Sequence, residues 1–338
     1  VRRLIDKLPV AADPYHSDKA IQAGKKSKEA VYRFKTMPGG YPGCGIMAVR
    51  IDSTLDTYPS LNGRERQVKL PLAKGWRYTG IVILFSLATG EVLGILPDGE
   101  IQKMRVGATS ALGVKYLSRK DSTTLGLLGT GWQAEAQLEA VVKVRNLKRI
   151  RVFSPDGAHR SDFAARMESK LGVEILPVQS ARDVFKDADI VLTATTSSGP
   201  VFSTAWLERG MHLGTVNPQE ADPEAFRRCA PVVVNVRPFG SPDLVHNFVL
   251  GGNRPTSSGK IMNTRAHRID WTKTIELGEL LTAKRKVRRS RSDITFHCNN
   301  VGLGMQFAAA GRKILDGARK KRLGREVPTD WFLQKEHT

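Results

Sequence analysis

The stretch LGLLGTGWQAEAQL, residues 125–138, constrains the fold of this 338-residue chain more than any other. An apolar run ends at Gly129-Thr130-Gly131, and a helix-like pattern begins directly after it. Gly129 permits a tight turn, Gly131 lets the backbone approach a pyrophosphate, and the small Ala134 lets the helix lie close to the strand. The stretch therefore predicts a strand, a phosphate-binding turn and a helix that together hold a dinucleotide.

From residue 123 onward, strand-like and helix-like patterns alternate at the spacing of βαβ units. We predict strands at TLGLL, RIRVF, VEILPV, DIVLTAT, MHLGTV and PVVVNV. Between the first strands lie an amphipathic helix over residues 133–144, a helix at AARMESKL and a short helix that Ser180 begins. This order predicts an α/β fold with a Rossmann-type, doubly wound parallel sheet over residues 114–299.

Residues 1–113 have a different pattern, with strands at GIMAVRIDS and GIVILFSLATGEVLGIL, the latter turning at Thr89-Gly90. KMRVGATSALGVKYLSR is a helix of small residues that leads into the second half. The C-terminal GLGMQFAAAGRKILDGARKK is an amphipathic helix whose alanines and glycines allow close packing on the first domain. We expect a smaller α+β domain, residues 1–113, completed by residues 300–338. Residues 245–270, rich in Gly, Ser, Thr and Asn, are interpreted as a surface connection or a mobile loop near a site.

Composition excludes several classes of protein. With 41% hydrophobic and 25% charged residues the chain is an ordinary globular protein. No apolar run approaches the roughly 18 residues of a membrane helix, and the N-terminal segment does not resemble a signal peptide. Cys44, Cys229 and Cys298 are far apart and form no C-x-x-C, which argues against a disulfide framework or a structural zinc site. We expect a reducing compartment, the cytoplasm, and no metal or membrane association.

The net charge of +20 attracts anions such as nucleotides and carboxylates. The basic residues are spread along the chain, with one dense run, KRKVRRSR, at residues 284–291. Because no aromatic residue interrupts this run, we interpret it as a solvated loop and expect no specific binding to nucleic acid.

The end of the second parallel strand determines which dinucleotide is preferred. An acidic residue there binds the ribose 2′-hydroxyl of NAD. Here Ser154 holds that position, Asp156 follows a proline, and Arg160 comes next, so NADP is favoured, with NAD as the alternative if Asp156 turns inward. Threonines at a strand's C-terminal end are further candidates. The predicted cofactor contacts are Gly129, Thr130, Gly131, Trp132, Gln133, Ala134, Ser154, Arg160, Thr193, Thr195 and Thr196.

Several motifs resemble the ornithine cyclodeaminase/mu-crystallin family. They are MRVGATSALGVKYLSRKDS, LGLLGTGWQAEAQLEA, DADIVLTATTSSGPVF and GMHLGTV, in the family's order over roughly residues 37–235. GLGMQFAAAG also resembles the family's closing helix. The resemblance implies a homodimer that binds a small amino or imino acid between its two domains. It also implies hydride exchange between an amino acid's α-carbon and a nicotinamide ring.

The resemblance assigns the family's carboxylate-binding arginine to Arg105, and it exposes two departures. Met47 holds the position of the family's active-site lysine, and Arg50, three residues on, lies on the opposite strand face unless the strand bulges. Gln219 lies nearest to the position of the cyclodeaminase aspartate, with Asn217 two residues before it. An amide has no useful pKa and cannot act as a general base.

These departures disfavour a reaction that must remove a proton from the substrate ammonium. We therefore predict an NAD(P)-dependent imine or ketimine reductase, or an amino-acid dehydrogenase. The alternatives are an ornithine cyclodeaminase-type ammonia lyase and an NADPH-dependent ligand-binding protein of mu-crystallin type. The proton donor is unassigned; the candidates are His212, Glu220 and Asp222.

Overall fold

Two large β-sheets, a two-stranded ribbon and the packed helices organise the part of the chain that the computed structural model describes, residues 30–61, 63–69, 79–237, 244–249, 269–282 and 287–334. The strands are β1 (Ala30–Tyr41), β2 (Ile46–Thr57), β3 (Ser60–Leu61), β4 (Arg64–Glu65), β5 (Val68–Lys69), β6 (Thr79–Ser86), β7 (Val92–Pro97), β8 (Thr124–Leu128), β9 (Arg149–Phe153), β10 (Glu174–Pro177), β11 (Ile190–Thr193), β12 (His212–Thr215), β13 (Val232–Val234), β14 (Leu244–Val249), β15 (Ile275–Glu276) and β16 (Thr295–Cys298). The helices are α1 (Gly99–Leu117), α2 (Trp132–Val141), α3 (Gly157–Leu171), α4 (Pro223–Arg228), α5 (Leu277–Thr282) and α6 (Gly304–Lys321).

The larger sheet has eight parallel strands in the order β10-β9-β8-β11-β12-β16-β13-β15. Its central strands are buried on both faces. β8 and β11 are therefore mostly apolar, whereas β12 and β16 each bury a histidine and a threonine. The strand order reverses between β8 and β11, and ligands of such sheets bind at the carboxyl ends beside this reversal. The predicted Rossmann-type fold is confirmed.

The small residues of α1 allow this helix to lie directly on its neighbours. A Cβ atom at Gly107 would lie 2.3 Å from the carbonyl oxygen of Ala136 in α2. A Cβ at Gly113 would lie 2.2 Å from Nδ1 of His297 in β16. A larger side chain at Gly107 would push α1 away from α2, and one at Gly113 would push it away from the parallel sheet, which explains the small-residue pattern of this helix.

The smaller sheet is antiparallel, in the order β14-β1-β2-β6-β7, with β5 also paired to β2. α6 packs on one face of it: a Cβ at Gly304 would lie 2.1 Å from the carbonyl carbon of Pro38. β14 joins this sheet by pairing with β1, whereas the composition of residues 245–270 predicts a connection or mobile loop. Residues 250–268 lie outside the described residues. No helix within the described ranges has the length and apolarity to cross a bilayer.

The described part of the basic run, residues 287–291, is not a fully solvated loop, which corrects the expectation from composition; residues 284–286 lie outside the described residues. Arg288 is only 7% exposed. Its guanidinium donates hydrogen bonds to the carbonyl oxygens of Leu117 (2.7 Å) and Asp293 (2.9 Å), and to those of Gly210 and Met211 (3.2 Å each). Arg288 satisfies backbone acceptors, including one at the end of α1. It therefore has a structural role although it lies in a basic run of the sequence.

The buried His297 gives the fold a predictable acid sensitivity. It is 1% exposed, and burial lowers its pKa from 6.5 to about 4. Between these values the unfolded chain binds a proton that the folded chain excludes, so stability is complete above pH 6.5 and declines as the pH falls to about 4. We expect His297 to reduce the free energy of unfolding by about 3 kcal/mol over this window, measured by urea unfolding at several pH values. Burial also lowers the pKa of His212, which adds a loss of the same sign.

The matched variants are His297→Asn and His159→Asn, since the side chain of His159 is exposed. The first should make the pH dependence shallower and leave the part due to His212, and the second should leave it unchanged. Equal slopes in all three proteins would contradict the assignment to His297.

Candidate active site

The glycine turn after β8 has the geometry of a pyrophosphate-binding turn. Gly129 has φ 105°, and its Cβ would lie 2.2 Å from the carbonyl oxygen of Ala194, so only glycine fits there. Gly131 is the N-cap of α2, and no atom lies within 4 Å of where its Cβ would be. The open space at Gly131 and the free amides at the start of α2 suit the approach of a phosphate. These residues therefore fit a dinucleotide.

A cavity of about 470 Å³ opens above this turn, at the carboxyl ends of β8, β9 and β11. Its lining comes from the glycine turn, the end of β9 with the start of α3, one residue after β10, the segment after β11 and one residue of the smaller sheet's connections. The lining residues are Arg66, Leu128, Gly129, Thr130, Gly131, Phe153, Ser154, Pro155, Asp156, His159, Ala181, Ala194, Thr195, Thr196, Ser197 and Val201.

The structure brings six of the predicted cofactor contacts together in this lining and leaves five outside it. The six are Gly129, Thr130, Gly131, Ser154, Thr195 and Thr196. Of the others, Ala134 is fully buried where α2 packs on the sheet, and Thr193 is fully buried within β11. Trp132 lies beside Lys103 of α1, 6.0 Å from its Nζ, and Gln133 is partly buried in the first turn of α2.

Arg160 is the fifth residue outside the lining, and it contacts two residues of the cavity wall, Phe153 and Ser154. Its guanidinium donates hydrogen bonds to the carbonyl oxygen of Ser154 and to Oε1 of Gln179, and it stacks on the ring of Phe153 at 5.3 Å. At 6% exposure it supports the end of β9. These bonds engage Nη1 and Nη2, while the buried Nε has no hydrogen-bond partner among the described residues.

His159 lines the cavity and was missed by the sequence analysis. Its Nε2 lies 3.0 Å from the carbonyl oxygen of Thr130, and its backbone amide donates to the carboxylate of Asp156 at 3.0 Å. Asp156 is the N-cap of α3, so its carboxylate is held by the helix it begins. The capping spacing of Asp156 to His159 was the available signal, because a residue three positions after an N-cap lies over the helix start.

Glu220 is a buried brace and has no access to a substrate, in contrast to its candidacy as a proton donor. Oε1 accepts hydrogen bonds from the amide (2.6 Å) and hydroxyl (2.8 Å) of Thr195. Oε2 accepts from the amides of Val216 and Asn217, each at 3.0 Å. The side chain is 0% exposed, and burial raises its pKa. Glu220 thus joins the segments that follow β11 and β12 and fixes the cavity wall at Thr195.

We expect Glu220→Gln to destabilise the fold and weaken cofactor binding together. An amide has one acceptor oxygen and cannot satisfy donors on both sides, so the loss should be about 2 kcal/mol or more. Thermal unfolding and cofactor titration would measure the two effects. Glu224→Gln is the matched control, because Glu224 is exposed and should change stability by less than about 0.5 kcal/mol. An unchanged melting temperature for Glu220→Gln would contradict the bracing role.

The other two proton-donor candidates also lie outside the cavity lining. His212 is fully buried in β12, with Nδ1 2.9 Å from Oγ1 of Thr295. Asp222 is the exposed N-cap of α4 and accepts a hydrogen bond from the amide of Glu224 at 2.8 Å. Asn217 and Gln219 are both partly buried, in the short turn between β12 and α4. None of these placements brings a titrating group to the cavity.

Arg105 projects from α1 onto the loop before α6. Its Nε and Nη2 both donate to Oε1 of Gln102, at 3.0 and 2.7 Å. The Nε–Nη2 edge, which here meets one amide oxygen, is an edge with which a guanidinium can bind the two oxygens of a carboxylate. The guanidinium stacks on Phe307 at 5.4 Å and lies so close to Gly302 that a Cβ there would be 2.3 Å from Nη1. The ring and the glycine together fix the plane of the arginine.

An amide network that the sequence analysis missed holds this loop against α1. Asn299 donates to the carbonyl oxygen of Val106 and to Oγ of Ser110, both at 3.1 Å. Asn235 donates to Asn299 Oδ1 at 2.6 Å, and Gln306 donates to Oγ1 of Thr109 at 2.9 Å. Sequence could not reveal the network, because its members lie on three separate segments.

Met47 and Arg50 lie on opposite faces of β2, as strand alternation predicted. Arg50 is on the face that α6 covers, where it pairs with Asp98 (2.7 Å) and Asp52 (2.6 Å) and stacks on Phe307 at 5.7 Å. Burial raises the pKa of Asp98 even though Arg50 opposes this rise. Arg50 is therefore neutralised by buried carboxylates and does not replace the family's lysine on the Met47 face.

Known proteins similar to this chain show which family it belongs to. The model of the ornithine cyclodeaminase/mu-crystallin family matches residues 75–322. The chain is similar to a Delta(1)-pyrroline-2-carboxylate reductase of Bacillus cereus, with 28% identity over 253 residues, 73% of this chain and 74% of the relative. It is also similar to an alanine dehydrogenase of Archaeoglobus fulgidus, with 26% identity over 255 residues and 73% of each chain covered.

Two solved structures share the fold. The Thermococcus litoralis Delta(1)-pyrroline-2-carboxylate reductase in complex with NADH and L-proline has a TM-score of 0.65 at 25% identity, covering 92% of this chain and 95% of that one. An archaeal alanine dehydrogenase dimer with bound NAD has a TM-score of 0.67 at 21% identity, covering 92% and 94%.

Proposed function

Because the chain belongs to the ornithine cyclodeaminase/mu-crystallin family, we propose that it reduces a cyclic α-imino acid, of the kind that Delta(1)-pyrroline-2-carboxylate reductases take. The resemblance drawn from its motifs is confirmed, and so is the prediction of a nicotinamide-dependent oxidoreductase of amino or imino acids. The proposal concerns the substrate and the direction of the reaction.

One observation carries the proposal. The chain keeps the dinucleotide turn and Arg105, while Met47 and Gln219 replace the lysine and the aspartate that the family resemblance led us to expect. Ring-closing deamination needs a base for the substrate ammonium, and neither a thioether nor an amide can serve. Reduction of an imine needs only a held carboxylate, a hydride and one proton, and a protonated imine already carries that proton.

The described residues supply binding and orientation. Arg105 would hold the substrate carboxylate through Nε and Nη2, replacing its present contact with Gln102. Phe307 and Gly302 keep the guanidinium in one plane, so a single face of the imine carbon is presented. When bound, the reduced nicotinamide supplies the hydride. The C=N double bond becomes a single bond, hydride is added at carbon, and the nitrogen keeps its proton.

The direct test is the loss of NADPH absorbance with a panel of cyclic and linear α-imino acids. We expect turnover with a five- or six-membered cyclic imino acid. Ammonia release from L-ornithine without net consumption of cofactor would instead indicate a cyclodeaminase. Tight NADPH binding without turnover of any panel member would indicate a ligand-binding protein.

We infer NADP as the preferred cofactor. Ser154, at the end of β9, lines the cavity where an acidic residue would favour NAD, and the carboxylate of Asp156 is engaged as the N-cap of α3. Arg160, which supported this inference in sequence, does not contribute to the cavity. Comparing kcat/KM for NADPH and NADH tests the inference, and a higher value with NADH would refute it.

We also infer a homodimer that forms through the antiparallel sheet. The face of this sheet opposite α6 carries apolar residues in register, with Met47 beside Phe85, Val49 beside Ile83 and Ile83 beside Ile95. Ile95 is 50% exposed. A second copy would cover this face, and the dimer of the archaeal alanine dehydrogenase supports this inference. Light scattering should give twice the chain mass of 37.2 kDa, and a monomer would contradict the inference.

The cytoplasm remains our inferred location. Cys44, Cys229 and Cys298 are all unpaired, as expected in a reducing compartment. Recovery of the protein in the soluble cytoplasmic fraction would test this inference.

A further inference from the structure

Arg66 reaches the cofactor cavity from the other half of the molecule. It lies between β4 and β5, in the connection that follows β2. It forms an isolated antiparallel β-bridge with Ser197. The amide of Gln67 donates to the carbonyl oxygen of Thr196 at 2.9 Å, and the amide of Ser198 donates to that of Glu65 at 3.1 Å. This bridge attaches the segment to the cavity wall that follows β11.

The same segment is also attached to the smaller sheet. β5 pairs with β2, with Asp56 opposite Lys69. Nε2 of Gln67 donates to Oδ2 of Asp56 at 2.7 Å, and Asp56 is fully buried. Arg66 is therefore held on both sides by neighbours of fixed position, which lowers the entropic cost of placing its side chain at the cavity.

The charges of the cavity lining make Arg66 the available cation of this site. Arg66 is the one lysine or arginine among the described residues that line the cavity, and Asp156 contributes a negative charge. Nowhere in the described part of the chain does the Arg66 side chain have a hydrogen-bond or ion-pair partner, whereas Arg160 is engaged with Ser154 and Gln179. A dinucleotide brings at least two negatively charged phosphate groups into this space. The unpaired guanidinium of Arg66 can therefore bind one of these phosphates.

We propose that Arg66 binds a phosphate group in the adenosine half of the cofactor, either the 2′-phosphate or the pyrophosphate. The proposal rests on the proposed function only in taking the ligand to be a nicotinamide dinucleotide. Either phosphate group would lie in this cavity, because Ser154, at the position expected for the ribose 2′-substituent, and the glycine turn, which would hold the pyrophosphate, line the same space. Since Arg66 belongs to the connections of the smaller sheet, the bound cofactor would join the two sheets across the cavity.

Direct binding tests the proposal without requiring turnover. NADPH and NADH would each be titrated against wild type, Arg66→Ala and Arg66→Lys, with cofactor fluorescence as the readout. Lys148→Ala is the matched control, because it removes one positive charge from an exposed position of the Rossmann half. Melting temperatures without cofactor would establish that the variants fold. If Arg66→Ala does not fold, Arg66→Gln and Arg66→Lys take its place in the comparison.

We expect Arg66→Ala to raise the Kd about tenfold or more, Arg66→Lys to raise it less, and Lys148→Ala to leave it within about twofold. A loss confined to NADPH identifies the 2′-phosphate as the ligand, and an equal loss with both cofactors identifies the pyrophosphate. Unchanged affinity for both cofactors overturns the proposal. If the wild-type protein reduces an imine and Arg66→Ala binds both cofactors normally, the role of Arg66 is refuted and the proposed function stands. Arg66-dependent binding without turnover would refute the proposed function alone.

Discussion

Arg105→Met is expected to lower kcat/KM for the imino acid by about 10²–10³-fold, because it removes both charge-assisted hydrogen bonds to the carboxylate. Arg105→Lys should recover part of the loss, since a lysine keeps the charge but not the paired donors. The fold should survive, because Arg105 is only part-buried and its two shortest hydrogen bonds are to Gln102 of the same helix. Steady-state kinetics and thermal unfolding would be measured on the same preparations.

The matched control for Arg105 is Arg149→Met. Arg149 is exposed and pairs with Glu174 at 2.6 Å, at the far end of β9 from the cavity. It should retain wild-type kcat/KM. If Arg105→Met and Arg149→Met had the same activity, Arg105 would not be the carboxylate anchor, and the substrate would be held elsewhere.

Gly131→Ala is expected to weaken cofactor binding by about tenfold or more while the fold is kept. Its φ of −90° and ψ of −175° suit an alanine, and no atom lies within 4 Å of the added Cβ. The change in stability should therefore be about 1 kcal/mol or less. The methyl group would occupy the space through which a pyrophosphate approaches the backbone. Cofactor titration and thermal unfolding distinguish the two effects.

Gly129→Ala should have the opposite profile. Its φ of 105° is strained for alanine, and the added Cβ would lie 2.2 Å from the carbonyl oxygen of Ala194, so β8 and β11 would have to separate. We expect a loss of roughly 3–5 kcal/mol in the free energy of unfolding. If Gly131→Ala bound the cofactor normally, or Gly129→Ala were as stable as wild type, the roles given to the two glycines would be wrong.

Features that depend on neighbouring residues in the chain could be predicted. The glycine turn and the alternation of strands and helices follow from local spacing and periodicity. The opposite faces of Met47 and Arg50 follow from the two-residue period of a strand. Arg105 required the family motif, because nothing in its local sequence distinguishes it from a surface arginine.

Side-chain roles that depend on distant segments could not be predicted. Arg160 resembles a phosphate ligand in sequence, but the end of β9 and Gln179 provide it with partners. Glu220 resembles a titrating group near a site, but its four donors come from the ends of two strands. Arg288 lies in a basic run, but the carbonyl groups it satisfies belong to a helix about 170 residues earlier and to the loop before β12.

The sequence by itself thus determined the fold class, the dinucleotide turn and the family, since each is encoded in short-range spacing. The tertiary structure decided which charged side chains remain available for a ligand. It neutralised Arg50 with Asp52 and Asp98, engaged Arg160 elsewhere and brought Arg66 to the cavity. The physical reason is that a charge is available or not according to its partners, and those partners are set by folding.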